Sequence, residues 1–130
     1  MLVDTDVLIW HLRGYRQASQ RLDRLSELTL SVVSYLELIQ GMRNKAELAA
    51  VQKMLALRKA NVLPLTAAIT QRAVGLMETL ALSHGLQVTD ALIAATALEH
   101  RLALLSGNIK HFGEMTNSTV ISPDATAIPP

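Results

Sequence analysis

Three acids, Asp4, Glu37 and Asp90, occupy positions that solvation alone does not readily explain. Asp4 and Asp6 follow the apolar pair Leu2-Val3 and run into Val7-Leu8-Ile9-Trp10, so a short strand delivers carboxylates to the start of a helix. In open α/β sheets the C-terminal ends of parallel strands face the crevice where ligands bind. Glu37 is set among Leu36, Leu38 and Ile39, and Asp90 opens the most apolar helical stretch in the chain. Each acid also has a purely structural role open to it. Asp4 is a good helix N-cap, Asp90 suits a helix dipole, and Glu37 fits the flank of an amphipathic helix. All three nevertheless fall just after a strand or at a helix start. Carboxylates gathered there repel, and a shared site raises a pKa unless a cation compensates. Mg2+ or Mn2+ suits such oxygens and keeps positions open for water and phosphate. The same ion lowers the pKa of a bound water and offsets transition-state charge.

The elements that must position these acids alternate. The first strand covers residues 2–4, and a helix over 5–13 ends at Gly14. A polar helix is predicted over 17–26 and a buried strand over 28–33, whose β-branched content is high. Ser34 then reads as the N-cap of a helix running through Gln40, and an alanine- and leucine-rich helix is predicted over 46–60. Residues 62–65 form a short strand, placed at an edge by Pro64. A long helix over 67–83 closes on His84-Gly85. Another starts near Thr89-Asp90, runs to about His100, and is apolar nearly all round, which predicts burial. A strand over 102–105, a turn at Ser106-Gly107-Asn108, a brief helix toward Phe112 and a strand over 119–121 complete the chain. The pattern predicts one domain over 1–122, a three-layer α/β/α arrangement around a mostly parallel sheet of about five short strands. The tail 123–130 has little to bury and is expected to be mobile.

Composition narrows the chemistry. The 130 residues are half apolar and contain no cysteine, which removes disulfides, thiol catalysis and cysteine-bound zinc. His11, His84, His100 and His111 are dispersed, without a His-Glu-x-x-His motif. The net charge of +1 hides an asymmetry: residues 1–65 carry nine basic and six acidic side chains, residues 66–130 three and five. As a group, the early arginines and lysines make one basic rim suited to phosphate. Aromatic residues are limited to Trp10, Tyr15, Tyr35 and Phe112, too few for a base-stacking platform. No apolar run approaches the roughly 18 residues of a membrane helix, and no secretory signal is visible. A cytoplasmic protein is the expectation.

Four stretches carry a resemblance: Val3-Asp4-Thr5-Asp6-Val7-Leu8-Ile9-Trp10, Ser31-Val-Val-Ser-Tyr-Leu-Glu37-Leu-Ile-Gln-Gly41, Thr89-Asp90-Ala91-Leu-Ile-Ala-Ala-Thr96-Ala97 and Leu105-Ser-Gly-Asn108-Ile-Lys-His-Phe112. In this order they resemble the PIN-domain ribonucleases, most of all the VapC-type toxins of bacterial toxin–antitoxin pairs. The resemblance implies a metal-dependent endoribonuclease, with Asp4, Glu37 and Asp90 holding Mg2+ or Mn2+. It implies in-line attack by an activated water, leaving 5′-phosphate and 3′-hydroxyl ends. The implied partners are RNA, a small antitoxin and a second copy of the chain; the apolar stretch 46–57 is a candidate surface for either protein partner. The chain departs from the family at its fourth acidic position, where Asn108 stands, which puts a second metal in question. Asp6 is a candidate to supply part of the missing charge. Ser106 matches a family hydroxyl near the site, and Thr5 is a further candidate for substrate contact.

Two other readings compete. Asp4-Thr5-Asp6-Val7 also satisfies the first motif of haloacid-dehalogenase-type phosphatases, with Asp4 as nucleophile and Asp6 as acid–base. That chemistry needs a paired acidic motif late in the chain, and only Glu114 and Asp124 follow residue 100. The third reading is a PIN fold that binds RNA or protein without cutting.

Overall fold

The computed structural model describes residues 1–107 and 120–121. Strand β1 (Leu2–Val3) is followed by helices α1 (Thr5–Leu12) and α2 (Arg16–Asp23), strand β2 (Thr29–Ser31), and helices α3 (Val32–Gln40) and α4 (Lys45–Leu57). Strand β3 (Asn61–Leu63), helices α5 (Ala67–His84) and α6 (Val88–Glu99), and strands β4 (Leu104–Leu105) and β5 (Val120–Ile121) follow. The five strands pair in parallel in the order β3-β2-β1-β4-β5. This is the expected three-layer sheet architecture, with β3 at the predicted edge, although it covers Asn61–Leu63 rather than 62–65 and Pro64 follows it.

Successive side chains on a strand point to opposite faces, and the short strands show it. Leu2 and Leu104 enter one core with Ile69, Ala73 and the alanines of α6. Val3 and Leu105 enter the other with Val7, Leu8, Leu22, Leu38 and Val51. Two layers of helix therefore clamp a sheet whose strands are only two or three residues long. Full burial of each leucine contributes about 1.5–3 kcal/mol relative to exposure. Ala91, Ala94, Ala95 and Ala97 are essentially inaccessible. Their small side chains let α6 lie close to the sheet and to α5, and the predicted buried helix is the observed one.

Boundaries differ from the sequence-based expectation where local chemistry decides. The second strand stops at Ser31, whose hydroxyl accepts the Val33 amide proton at 3.1 Å and caps α3. Val32 and Val33 are thus helical despite their strand preference, and Ser34 is not the cap. Helix α2 ends at Asp23 rather than 26, with Arg24 as its C-cap. Helix α4 stops at Leu57 rather than 60, because Lys59 takes a left-handed φ of 50° and Ala60 N–H returns to Leu55 C=O at 2.9 Å. Helix α4 turns Val51, Met54 and Leu55 into the core, while Ala46, Ala49, Ala50, Ala56 and Leu57 of the stretch proposed as a docking surface stay exposed. The brief helix toward Phe112 and the tail lie outside the described residues.

Helix α5 ends on Gly85, at φ 64° and ψ 31°, with its N–H on Ala81 C=O. A side chain there meets no neighbour, so substitution acts through the backbone alone. Gly85→Ala is expected to cost about 1 kcal/mol of stability, read as a lower urea midpoint with an unchanged slope.

Candidate active site

Strand β1 sits between β2 and β4, and the chain builds one side of the sheet before crossing to the other. That reversal makes the C-terminal end of β1 the switch point where such sheets bind ligands. Asp4 stands there, its amide held by Leu105 C=O at 2.9 Å. Its Oδ1 accepts the Thr5 N–H at 2.8 Å, so it does cap α1. Its Oδ2 accepts the Ser106 hydroxyl at 2.7 Å, just beyond β4. Asp4 is only 6% exposed. Asp4 thus caps α1 from a buried position beside other acids. Burial first, then the neighbouring Asp6 and Asp90, push its pKa up to about 7, against the downward pull of Ser106 and Thr5.

Asp6 lies on the first turn of α1. Its Oδ1 accepts from Val7 N–H at 2.7 Å and its Oδ2 from Gly107 N–H at 3.1 Å. Burial raises its pKa too, opposed by hydrogen bonds from Val7, Gly107 and Asp4, with Asp90 adding to the rise. The Gly107 contact depends on having no side chain. A Cβ at that position would overlap Cη2 and Cζ3 of Trp10 and stand 2.9 Å from Asp6 Oδ2. Trp10 and Asp6 thus close on the backbone that leaves β4.

Glu37 arrives from α3 and is half-buried. Its Oε1 accepts the Thr5 hydroxyl at 2.7 Å. It does not figure among the charges that raise Asp4. The two acids are joined instead through one residue, Thr5, by its amide on Asp4 and its hydroxyl on Glu37. Asp90, in the first turn of α6 and half-buried, acts on both Asp4 and Asp6 through its charge. The fold accordingly gathers Asp4, Asp6 and Asp90 electrostatically, and ties in Glu37 by hydrogen bonding. Ser106 and Thr5, the candidates for substrate contact, both spend hydroxyl protons on site carboxylates. Asn108 lies outside the described residues.

Among the described residues no three His, Cys, Asp or Glu side chains stand close enough to enclose an ion by themselves. Mg2+ does not require such a cage, since it is commonly held by one or two carboxylates, with water and phosphate completing its shell. The donors are all hard oxygens, and the charge crowding that lifts Asp4 is what a divalent cation relieves. The residues therefore fit the ion in chemical kind.

A groove of about 410 Å3 runs from Glu37 between α1, α3 and α4, floored by Ile9, Leu12, Leu38 and Met42. Arg13 and Arg43 line it as well, so two of the early basic residues share a groove with Glu37. Arg43 is paired with Glu47, and Arg58 with Asp23. Sequence reasoning missed Ser34 and Gly107. The serine read as a cap, and the glycine as part of an ordinary turn.

The PIN domain family model matches residues 1–115. Ribonuclease VapC10 of Mycobacterium tuberculosis is 44% identical over 118 residues, covering 86% of this chain and 85% of that protein. A toxin–antitoxin complex from Klebsiella pneumoniae superposes with TM-score 0.74 at 29% identity, over 92% of this chain and 95% of that one. VapBC2 from Rickettsia felis, solved on a DNA fragment from its promoter, superposes with TM-score 0.76 over 95% and 98% of the two chains. At 20% identity it speaks for the fold alone.

Proposed function

Because the chain belongs to the PIN domain family, we infer that it is a metal-dependent endoribonuclease and the VapC-type toxin of a toxin–antitoxin pair. The observation that carries the reading is the crowding of Asp4, Asp6 and Asp90 at the switch point of the sheet, with Asp4 lifted to about 7. Asp4 is the central ligand, Asp90 and Glu37 flank it, and Asp6 adds charge beside Asp4, in a chain whose fourth family acid is replaced by Asn108. When bound there, Mg2+ or Mn2+ supplies an acidified water and offsets the charge of the phosphodiester.

The chain's own residues position and insulate. Ser106 and the Thr5 amide hold both Asp4 oxygens in place. Gly107 N–H holds Asp6. No side chain is called on as a nucleophile; the attacking water displaces the 3′ oxygen in line, and positioning and electrostatics carry the rate. Arg13 and Arg43 meet the RNA backbone beyond the centre. The antitoxin reading is supported by the toxin–antitoxin structure at 29% identity, and a small partner covering the crevice is its form here. Homodimerisation is proposed on the family resemblance. No described helix is long and apolar enough to cross a membrane.

The test is direct. The purified protein is expected to cut structured RNA only with Mg2+ or Mn2+, to leave 5′-phosphate and 3′-hydroxyl ends, and to lose cutting in Asp90→Asn without loss of fold. Cutting that survives chelation, or cyclic phosphate ends, would overturn the reading. Metal affinity is also expected to depend on pH. A proton on Asp4 competes with the ion, so half-saturation should fall as pH rises from 6 to 8 and level off above the Asp4 pKa of about 7. A flat titration would remove Asp4 from the ligand set. The family match sets aside the phosphatase alternative. The non-cutting alternative is the outcome in which wild type binds metal and RNA yet yields no ends.

A further inference from the structure

Ser34 is fully buried on α3, and its hydroxyl lies 2.9 Å from Thr5 Oγ1 on α1. Helical serines and threonines ordinarily satisfy the hydroxyl on the carbonyl one turn back. Thr70, Thr79 and Thr96 do so here, at 3.0, 2.9 and 2.7 Å. Ser34 reaches across to another helix instead. It is not needed as a cap, because Ser31 already serves the amide of Val33.

Thr5 has a single hydroxyl proton and places it on Glu37 Oε1 at 2.7 Å. What remains on its oxygen is a lone pair, which accepts the proton of Ser34. The links run in one direction, from Ser34 to Thr5 to Glu37, and each fixes the orientation of the next. Thr5 is only 7% exposed, so water does not compete for its hydroxyl. The Thr5 amide meanwhile holds Asp4. One residue thereby links an acid at the end of β1 to an acid on α3.

The geometry points to Ser34 and Thr5 as a positioning relay, two buried hydroxyls that order the Glu37 carboxylate beside the Asp4 centre before a cation arrives. The proposal rests on the reading of Glu37 as part of a metal-dependent site, and it deepens that reading. Groups that orient a ligand typically contribute 10–100-fold in metal affinity, roughly. Thr5→Val keeps the shape and removes the proton, and Thr5→Ser keeps both the proton and the amide.

Mn2+ binding to the intact protein without RNA, followed by the EPR signal of the free ion, tests this. Thr5→Val is expected to weaken binding about tenfold, Ser34→Ala by less, and Thr5→Ser to restore near wild-type affinity. In a Glu37→Gln background Thr5→Val should add almost nothing, since its effect passes through Glu37. A contact that only packs α1 on α3 would lower the melting temperature in both backgrounds and show no such coupling. Wild-type affinity in Thr5→Val, or a loss fully additive to that of Glu37→Gln, overturns the relay while the nuclease reading stands. Absence of Mn2+ binding in the wild type overturns the nuclease reading itself, and the relay with it.

Discussion

Asp4→Asn is expected to abolish RNA cutting and, at pH 8, to raise the melting temperature of the metal-free protein. The two effects share a cause. Burial and the charges of Asp6 and Asp90 lift the Asp4 pKa from 3.8 to about 7, so the ionised form is costly in the folded state. For an acid raised on folding, its contribution to stability is fully present below pH 3.8 and is lost as pH climbs through about 7. Asparagine carries no such cost. It retains an oxygen to accept the Thr5 amide proton, and its amide can donate to the Ser106 oxygen. The gain in melting temperature over wild type should therefore be largest at pH 8 and vanish near pH 4. Cutting should fall on the order of a thousandfold or more, the scale of losing metal-assisted charge stabilisation. Added Mn2+ should raise the melting temperature of wild type at pH 8 and leave the variant unmoved. A variant that still cuts, or one less stable than wild type at pH 8, would show that Asp4 serves only the helix.

The second large effect belongs to Gly107→Ala. A methyl group there overlaps the Trp10 ring and crowds Asp6 Oδ2. Relief requires either the ring or the β4 exit to move, and the Gly107 N–H to Asp6 bond at 3.1 Å is the casualty. Overpacking of this kind costs about 1–3 kcal/mol, measured by urea unfolding. Metal affinity should fall with it, since Asp6 loses the donor that holds it. Trimming the ring in Gly107→Ala/Trp10→Leu should recover part of the stability, because the clash is removed from the other side. If Gly107→Ala unfolds at the wild-type urea concentration, the close approach does not constrain the site.

The legible part of this protein was the part written in local pattern. Leu2-Val3 before an acid, and the run from Ala91 to Leu98, apolar but for Thr96, have one reading each, and both elements stand where expected. Alternation implied a parallel sheet and Pro64 an edge strand, while the order of the strands was not legible. The region from Ser31 to Ser34 was not legible, because Val32 and Val33 favour strand while a single cap bond from Ser31 favours helix. Moving that boundary by three residues turns Ser34 from a cap into a buried partner of Thr5. The acids were readable as candidates for one neighbourhood, but their linkage was not. That Glu37 reaches Asp4 through Thr5, and that Asp6 answers to Gly107, depends on contacts between residues 32 and 101 positions apart. No spacing rule in a single sequence encodes those.

The bond from Ser106 to Asp4 spans 102 positions. Asp4 follows β1, and its partner follows β4, on the far side of six helices in the chain. A nascent chain, or one released early by a broken message, has the amide of Thr5 but neither Ser106 nor Gly107 to complete the pocket. A chain cut short before β4 is therefore expected to lack the complete Asp4 pocket.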